Sequence, residues 1–132
     1  MTSPTVRTIL YVEDHEPNIF LVEAIFSSRA DIRVITAATG SAGLCFAEEH
    51  RPDVVLLDLH LPDMRGEQFL QQMRETPHLA KTPVIVLTAD VACDPGGKLS
   101  VLGIAEFISK PFDISHLERT GDKWLGNGTR TN

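Results

Sequence analysis

Four short apolar runs in this chain each lead directly into a polar residue. Ile9 to Val12 meets Glu13 and Asp14, and Val54 to Leu57 meets Asp58. Val84 to Leu87 meets Thr88, and Phe107 to Ser109 meets Lys110. Short runs of this kind, separated by helix-length stretches, are the pattern of parallel strands covered on both faces. If they are neighbours in one sheet, their carboxyl ends lie side by side. Three carboxylates, a hydroxyl and an ammonium then meet at the end of the sheet where open α/β folds bind ligands. One such residue after a strand reads as a helix cap or a solvated charge. Four in succession, with complementary chemistry, read as a site.

The intervening segments carry helical signals. Pro17 suits a first helical turn, and Ile19, Val22, Ile25 and Phe26 follow at helical spacing. Ile32 to Ala37 reads as a second, more polar strand. Thr39-Gly40-Ser41 can cap a helix running to about His50, with Leu44 and Ala47 facing inward. A third helix is expected from Asp63 to Glu75, burying Phe69, Leu70 and Met73 and ended by Thr76-Pro77. Pro83 opens the fourth strand. Asp90 to Gly103 fills a fourth helical slot, and Asp113 to Leu125 a last helix stopped by Gly126. Five βα units follow, hence a doubly wound α/β fold with a parallel sheet. With the polar second strand at an edge, the order 2-1-3-4-5 puts strands one and three at the switch point, where Glu13, Asp14 and Asp58 converge.

Size and charge narrow the function. A chain of 132 residues has room for one such domain and not two. A net charge of −6 argues against a non-specific nucleic-acid surface. No apolar stretch approaches the roughly 20 residues of a membrane span. The opening Met1-Thr2-Ser3-Pro4-Thr5 lacks the basic and apolar blocks of a signal peptide, so a cytoplasmic location is expected. Cys45 and Cys93 stand in no paired motif and read as reduced thiols. His15, His50, His60, His78 and His116 are not paired at metal-ligand spacing.

Crowded carboxylates repel, so one holds a proton or a cation sits among them. An oxygen-only site with open positions suits Mg²⁺, which often links carboxylates to phosphate oxygens. A carboxylate can also be a nucleophile toward phosphorus, with an ammonium and a hydroxyl stabilising the phosphoryl oxygens. Asp58 ends the most apolar run and is the best candidate for that role.

The segments Ile9 to Asp14, Asp53 to Gly66, Pro83 to Ala89 and Phe107 to Phe112 closely resemble the response-regulator receiver domain of two-component phosphorelay signalling. The resemblance covers roughly residues 7–125, leaving 1–6 and 126–132 as expected flexible termini, and implies a flavodoxin-like (βα)5 fold. The separations also match that family: 44 residues from Asp14 to Asp58, 30 on to Thr88 and 22 more to Lys110. The resemblance implies that Asp58 accepts a phosphoryl group from the phosphohistidine of a histidine kinase or phosphotransfer protein. It implies Mg²⁺ coordination by Asp14, Asp58 and the backbone carbonyl of His60, with Glu13 reaching the ion through water. Lys110 would pair with Asp58 and the phosphoryl oxygens, Thr88 would bond a phosphoryl oxygen, and Phe107 would be the aromatic switch. Glu13 stands where aspartate is commoner, and Phe107 where tyrosine is frequent. His60 and Asp90 would flank an attacking water and set the lifetime of the acyl phosphate. Such a protein is not a classical enzyme, since it catalyses only its own phosphoryl transfer and autodephosphorylation.

Two other classes share parts of the pattern. A haloacid-dehalogenase-like phosphatase wants an acid two residues after its nucleophile, where this chain has His60. A flavodoxin-like FMN binder needs a hydroxyl- and glycine-rich first loop, where this chain has Glu13-Asp14-His15-Glu16. The signalling reading implies a downstream protein partner or output domain and leaves room for a homodimer on activation. Its contacts are expected on the fourth helical slot, strand five and the last helix. Asp94-Pro95-Gly96-Gly97 predicts an irregular fourth slot, because Pro and Gly disfavour helix interiors. Trp124 is expected to anchor the last helix on the core.

Overall fold

The computed structural model describes residues 6–88, 101–110 and 113–125. Five strands form one parallel sheet: β1 (Arg7–Val12), β2 (Ile32–Ala37), β3 (Val54–Asp58), β4 (Val84–Thr88) and β5 (Glu106–Ser109). Their order is β2-β1-β3-β4-β5, as the polarity of the second run predicted. The helices are α1 (Glu16–Phe26), α2 (Gly40–His50), α3 (Gly66–Glu75) and α4 (Ile114–Leu125), with a 3-10 turn at Pro77–Leu79. β1 begins two residues before the apolar run because Arg7 and Thr8 pair with Ile32 and Arg33 of β2.

Residues alternate between the faces of a strand, so each central strand feeds two cores. Leu10, Val12, Val55, Leu57, Val84 and Val86 face α2 and α3, where Ala47, Phe69, Leu70 and Met73 close the layer. Ile9, Tyr11, Val54, Leu56, Ile85, Leu87 and Ile108 face α1 and α4, meeting Val22, Phe26, Leu117 and Leu125. Every residue of β3 and β4 is buried. That is why those runs lack polar alternation and why their last residues are held in place. Trp124 packs partly buried against the second cluster and donates its indole N–H to Glu106 Oε2 at 2.8 Å, tying α4 to β5. The Arg7 guanidinium adds a hydrogen bond to the Leu125 carbonyl.

The third helix starts at Gly66, not at Asp63 as the sequence pattern suggested. Asp63 serves α2 instead. Its carboxylate accepts the backbone N–H groups of Gly40 and Ser41 at 2.7 and 2.9 Å, and the Ser41 hydroxyl at 2.9 Å. Those amides are otherwise unpaired at a helix start. The loop then folds back, with His60 bridged to Arg65 and Gly66 N–H donating to Leu59 O at 3.2 Å. Helical winding before residue 66 would break both contacts. The last helix begins one residue late, at Ile114, because Asp113 caps it through the Ser115 N–H at 3.0 Å. Asp90, the Asp94–Gly97 motif and Gly126 lie outside the described residues, as do residues 1–5 and 126–132 of the expected flexible termini.

Gly66 has no room for a side chain, since a Cβ there would lie 2.9 Å from Leu59 Cα. A Cβ on Gly40 would lie 2.6 Å from Met64 Sδ, but that thioether can turn aside. Gly66→Ala should therefore lower stability to urea by about 1–3 kcal/mol, a typical overpacking cost, and Gly40→Ala by clearly less. Equal losses in the two unfolding curves would contradict this packing account.

Candidate metal and phosphoryl-transfer site

The sheet order brings the ends of β1 and β3 together. Glu13 and Asp14 follow β1, Asp58 closes β3, Thr88 closes β4 and Lys110 follows β5. Glu13 is 1% exposed, Asp58 6% and Thr88 0%, whereas Asp14 lies open to solvent. Glu13, Asp14 and Asp58 each offer a carboxylate oxygen, all within 4.8 Å of one another. A hard, oxygen-only donor set with one member open to water fits an ion such as Mg²⁺, which retains part of its hydration shell. A cleft of about 450 Å³ opens beside Asp14 and the β3–α3 loop, lined by His60, Pro62 and Met64 among others.

Lys110 reaches two of the three carboxylates. Its Nζ lies 2.9 Å from Glu13 Oε1 and 3.6 Å from Asp58 Oδ1. Its backbone N–H donates to Thr88 O at 2.7 Å, which carries the pairing of β4 and β5 into the site. The family resemblance implies a pairing of Lys110 with Asp58. Both contacts are present, and the shorter one is to Glu13. The extra methylene of Glu13 turns its carboxylate inward, where Tyr11 O–H donates to Oε1 at 2.9 Å. Asn18 Nδ2 approaches the same oxygen at 3.5 Å, and the His15 backbone N–H donates to Oε2 at 3.3 Å.

Tyr11 and Asn18 lie outside the strand-end residues that mark the site in the sequence. A signal for Tyr11 was present: it stands two residues before Glu13, hence on the same side of the strand, within an otherwise aliphatic run. A buried phenol needs an acceptor. Phe107 lies half-buried on β5 against the α2–α3 cluster, and His60 is exposed in the loop after β3. The His60 N–H donates to Asp58 Oδ1 at 3.3 Å. Asp90 lies outside the described residues.

The two buried carboxylates are displaced in opposite directions. Burial alone pushes Glu13 up, but hydrogen bonds from Lys110, Asp58 and Tyr11 outweigh it and hold its carboxyl below the ordinary range. Burial and the adjacent Glu13 carboxylate raise Asp58, opposed incompletely by Lys110 and the His60 N–H. Burial and the Glu13 charge also push the Tyr11 phenol far above its ordinary value, so it remains a donor. A depressed carboxylate beside a raised one behaves as a pair that a cation would relieve.

A family model for the response regulator receiver domain matches residues 9–120. The chain belongs to this family. It is 41% identical over 109 residues to the transcriptional regulatory protein KdpE of Mycobacterium tuberculosis (strain CDC 1551 / Oshkosh), covering 81% of this chain and 46% of KdpE. The chain therefore spans about half the length of that curated relative. The polar-differentiation response regulator DivK of Brucella anthropi is 28% identical over 121 residues, covering 92% of this chain and 98% of DivK. The receiver domain of the sensor histidine kinase PA1611 from Pseudomonas aeruginosa, solved with magnesium coordinated in its active-site cleft, superimposes with a TM-score of 0.82. It is 31% identical and covers 92% of this chain and 99% of its own. Among the described residues of this receiver domain, no helix is long and apolar enough to cross a membrane.

The raised Asp58 carboxyl has a consequence for stability. The folded chain holds this proton to higher pH than the unfolded chain does. The favourable contribution is complete below the unfolded pKa and is lost as pH rises through the folded one. Without metal, the burial of Asp58 beside Glu13 thus increasingly opposes folding as pH rises. Asp58→Asn removes that charge and leaves Lys110 its Glu13 partner. Its thermal midpoint in chelator at pH 7 should rise by about 3–4 °C, the shift that roughly 1 kcal/mol produces at this size. A lower midpoint would show that the Lys110 contact outweighs burial and repulsion.

Proposed function

We propose that this receiver domain is a phosphorylation-controlled switch that takes a phosphoryl group on Asp58 from the phosphohistidine of a histidine kinase or phosphotransfer protein. The observation that carries the proposal is the setting of Asp58, 6% exposed, grouped with two further carboxylates and 3.6 Å from Lys110 Nζ. An Asp58 oxygen forms the new P–O bond while the P–N bond to the donor imidazole breaks, the imidazole leaving with the electron pair. Lys110 and the Thr88 hydroxyl stabilise the phosphoryl oxygens as charge develops. Asp14, Asp58 and the His60 backbone carbonyl would hold Mg²⁺ directly and Glu13 through water, and the three carboxylates are a donor set suited to the ion that the PA1611 domain coordinates. Bound there, Mg²⁺ supplies positive charge to the phosphoryl oxygens.

Acetyl phosphate or phosphoramidate with Mg²⁺ should add one labile phosphoryl group per chain, and beryllofluoride should bind in its place. Asp58→Asn should abolish labelling, and Asp14→Asn should weaken metal binding severely. Stoichiometric label on the Asp58→Asn protein would end the assignment. The same label reports the lifetime role given to His60 and Asp90. Alanine at either position should change autodephosphorylation by roughly tenfold, about 1.4 kcal/mol of barrier. Unchanged decay in both variants would remove that role.

The output falls on the fourth helical slot, of which residues 90–100 lie outside the described residues, together with β5 and α4, and its state follows Thr88 and the Phe107 rotamer. A downstream protein, an output domain or a second copy of this chain docks there when Asp58 is phosphorylated. Described contacts tie this surface to the core through Leu102, Ile104 and Phe107, which pack on the α2–α3 cluster. Hydrogen exchange should differ between free and beryllofluoride-bound protein across residues 90–110. Identical protection in the two states would refute the switch surface.

A further inference from the structure

Tyr11 is 0% exposed on the face of β1 covered by α1 and α4, in a cluster otherwise built mainly from aliphatic side chains. Its hydroxyl is a polar atom in a dry layer and needs an acceptor there. The acceptor is Glu13 Oε1 at 2.9 Å, two residues along and on the same side of the chain. That oxygen also takes Lys110 Nζ at 2.9 Å, while Oε2 takes the His15 backbone N–H at 3.3 Å. The carboxylate is thereby oriented, with one oxygen turned to the core and the other to the β1–α1 loop, beside Asp14. An aspartate at position 13 would draw its oxygens back by roughly one bond, about 1.5 Å, and leave the phenol without this partner. The tyrosine and the glutamate depend on each other.

We propose that Tyr11 is a positioning residue of the metal site, fixing Glu13 Oε1 so that the carboxylate keeps one orientation within the acidic cluster that would hold the cation, and remaining its partner when Lys110 moves to the phosphoryl group. The proposal rests on the reading of Asp58 as a Mg²⁺-dependent phospho-acceptor. Lys110 sits nearer Glu13 than Asp58. If it turned to Asp58 with no other donor in place, a carboxylate of 1% exposure would lose its strongest partner. The Tyr11 hydroxyl at 2.9 Å, with Asn18 Nδ2 farther off at 3.5 Å, keeps that oxygen satisfied.

The test is a four-member cycle on the full chain: the unaltered protein, Tyr11→Phe, Glu13→Asp and the double variant. Each is titrated with Mg²⁺ by calorimetry and melted in chelator. Tyr11→Phe should weaken Mg²⁺ binding by about tenfold, the lower end for loss of a residue that orients a ligand. The double variant should bind no more weakly than Glu13→Asp alone, because the contact is already gone. In chelator Glu13→Asp should melt lower than the unaltered protein, and adding Tyr11→Phe should recover most of the loss by removing the orphaned hydroxyl. Tyr11→Phe binding within about twofold of the unaltered protein would overturn the proposal, as would independent effects that multiply in the double variant. Unaltered protein that binds Mg²⁺ and labels on Asp58 yet ignores Tyr11→Phe refutes this inference alone. Unaltered protein that binds no Mg²⁺ refutes the reading beneath it.

Discussion

One ammonium shared by two nearly dry carboxylates is the interaction on which this domain turns. Glu13 and Asp58 end adjacent strands, so the sheet itself forces them together, and Lys110 is the counter-charge that reaches both. β5 is two positions from β3 in the sheet, with β4 between. Only a long side chain spans that gap. The main-chain bond from Lys110 N–H to Thr88 O fixes where the side chain starts. Removing the ammonium would leave two buried carboxylates uncompensated, whereas neutralising one carboxylate leaves a matched pair, which makes the cluster sensitive to metal, proton and phosphoryl group alike.

The rest of the molecule keeps those strand ends in register and holds the surrounding loops. The two clusters on either side of the sheet clamp β3 and β4 along their whole length, so Asp58 and Thr88 inherit the rigidity of the core. Asp63 fastens the β3–α3 loop to the start of α2, which keeps His60 and Asp14 on the two sides of one cleft. Far from the site, Arg74 of α3 donates to the carbonyls of Leu79, Ala80 and Thr82 before β4 and of Leu102 and Gly103 before β5. Burial lowers its pKa from the usual guanidinium range, and those carbonyls replace the water it gives up. One side chain thus fixes the entry to both strands that carry Thr88 and Lys110 at their far ends.

Strand number, strand order and the acidic cluster were legible in the sequence because they follow from local rules: apolar runs, helix-length crossovers and the switch point of a doubly wound sheet. The start of α3 was not, because Asp63 has the chemistry of a cap and the sequence does not say which helix it caps. The structure gives it to α2, 23 residues earlier in the chain. The partner of Lys110 was half legible. Pairing with Asp58 was anticipated, but the closer contact depends on which way Glu13 turns, and that depends on a hydroxyl buried in the core beneath it. Tyr11 read as one more apolar residue in a run whose other members are aliphatic. Its polar tip was visible in the sequence, but its role needed the packing.

The choice of lysine at position 110 follows from the same geometry. A guanidinium would bind one carboxylate through two parallel hydrogen bonds and gain from staying there. An ammonium is a compact point charge on a flexible stem, and it gives up little by exchanging one oxygen for another nearby. With Glu13 Oε1 at 2.9 Å and Asp58 Oδ1 at 3.6 Å, both acceptors lie within the swing of one side chain that is itself 17% exposed. Adding negative charge at Asp58 deepens the second well, while the Tyr11 hydroxyl keeps the first from becoming an unpaired buried charge. The two acceptors are therefore placed so that a single side-chain rotation redistributes charge between the ends of β1 and β3.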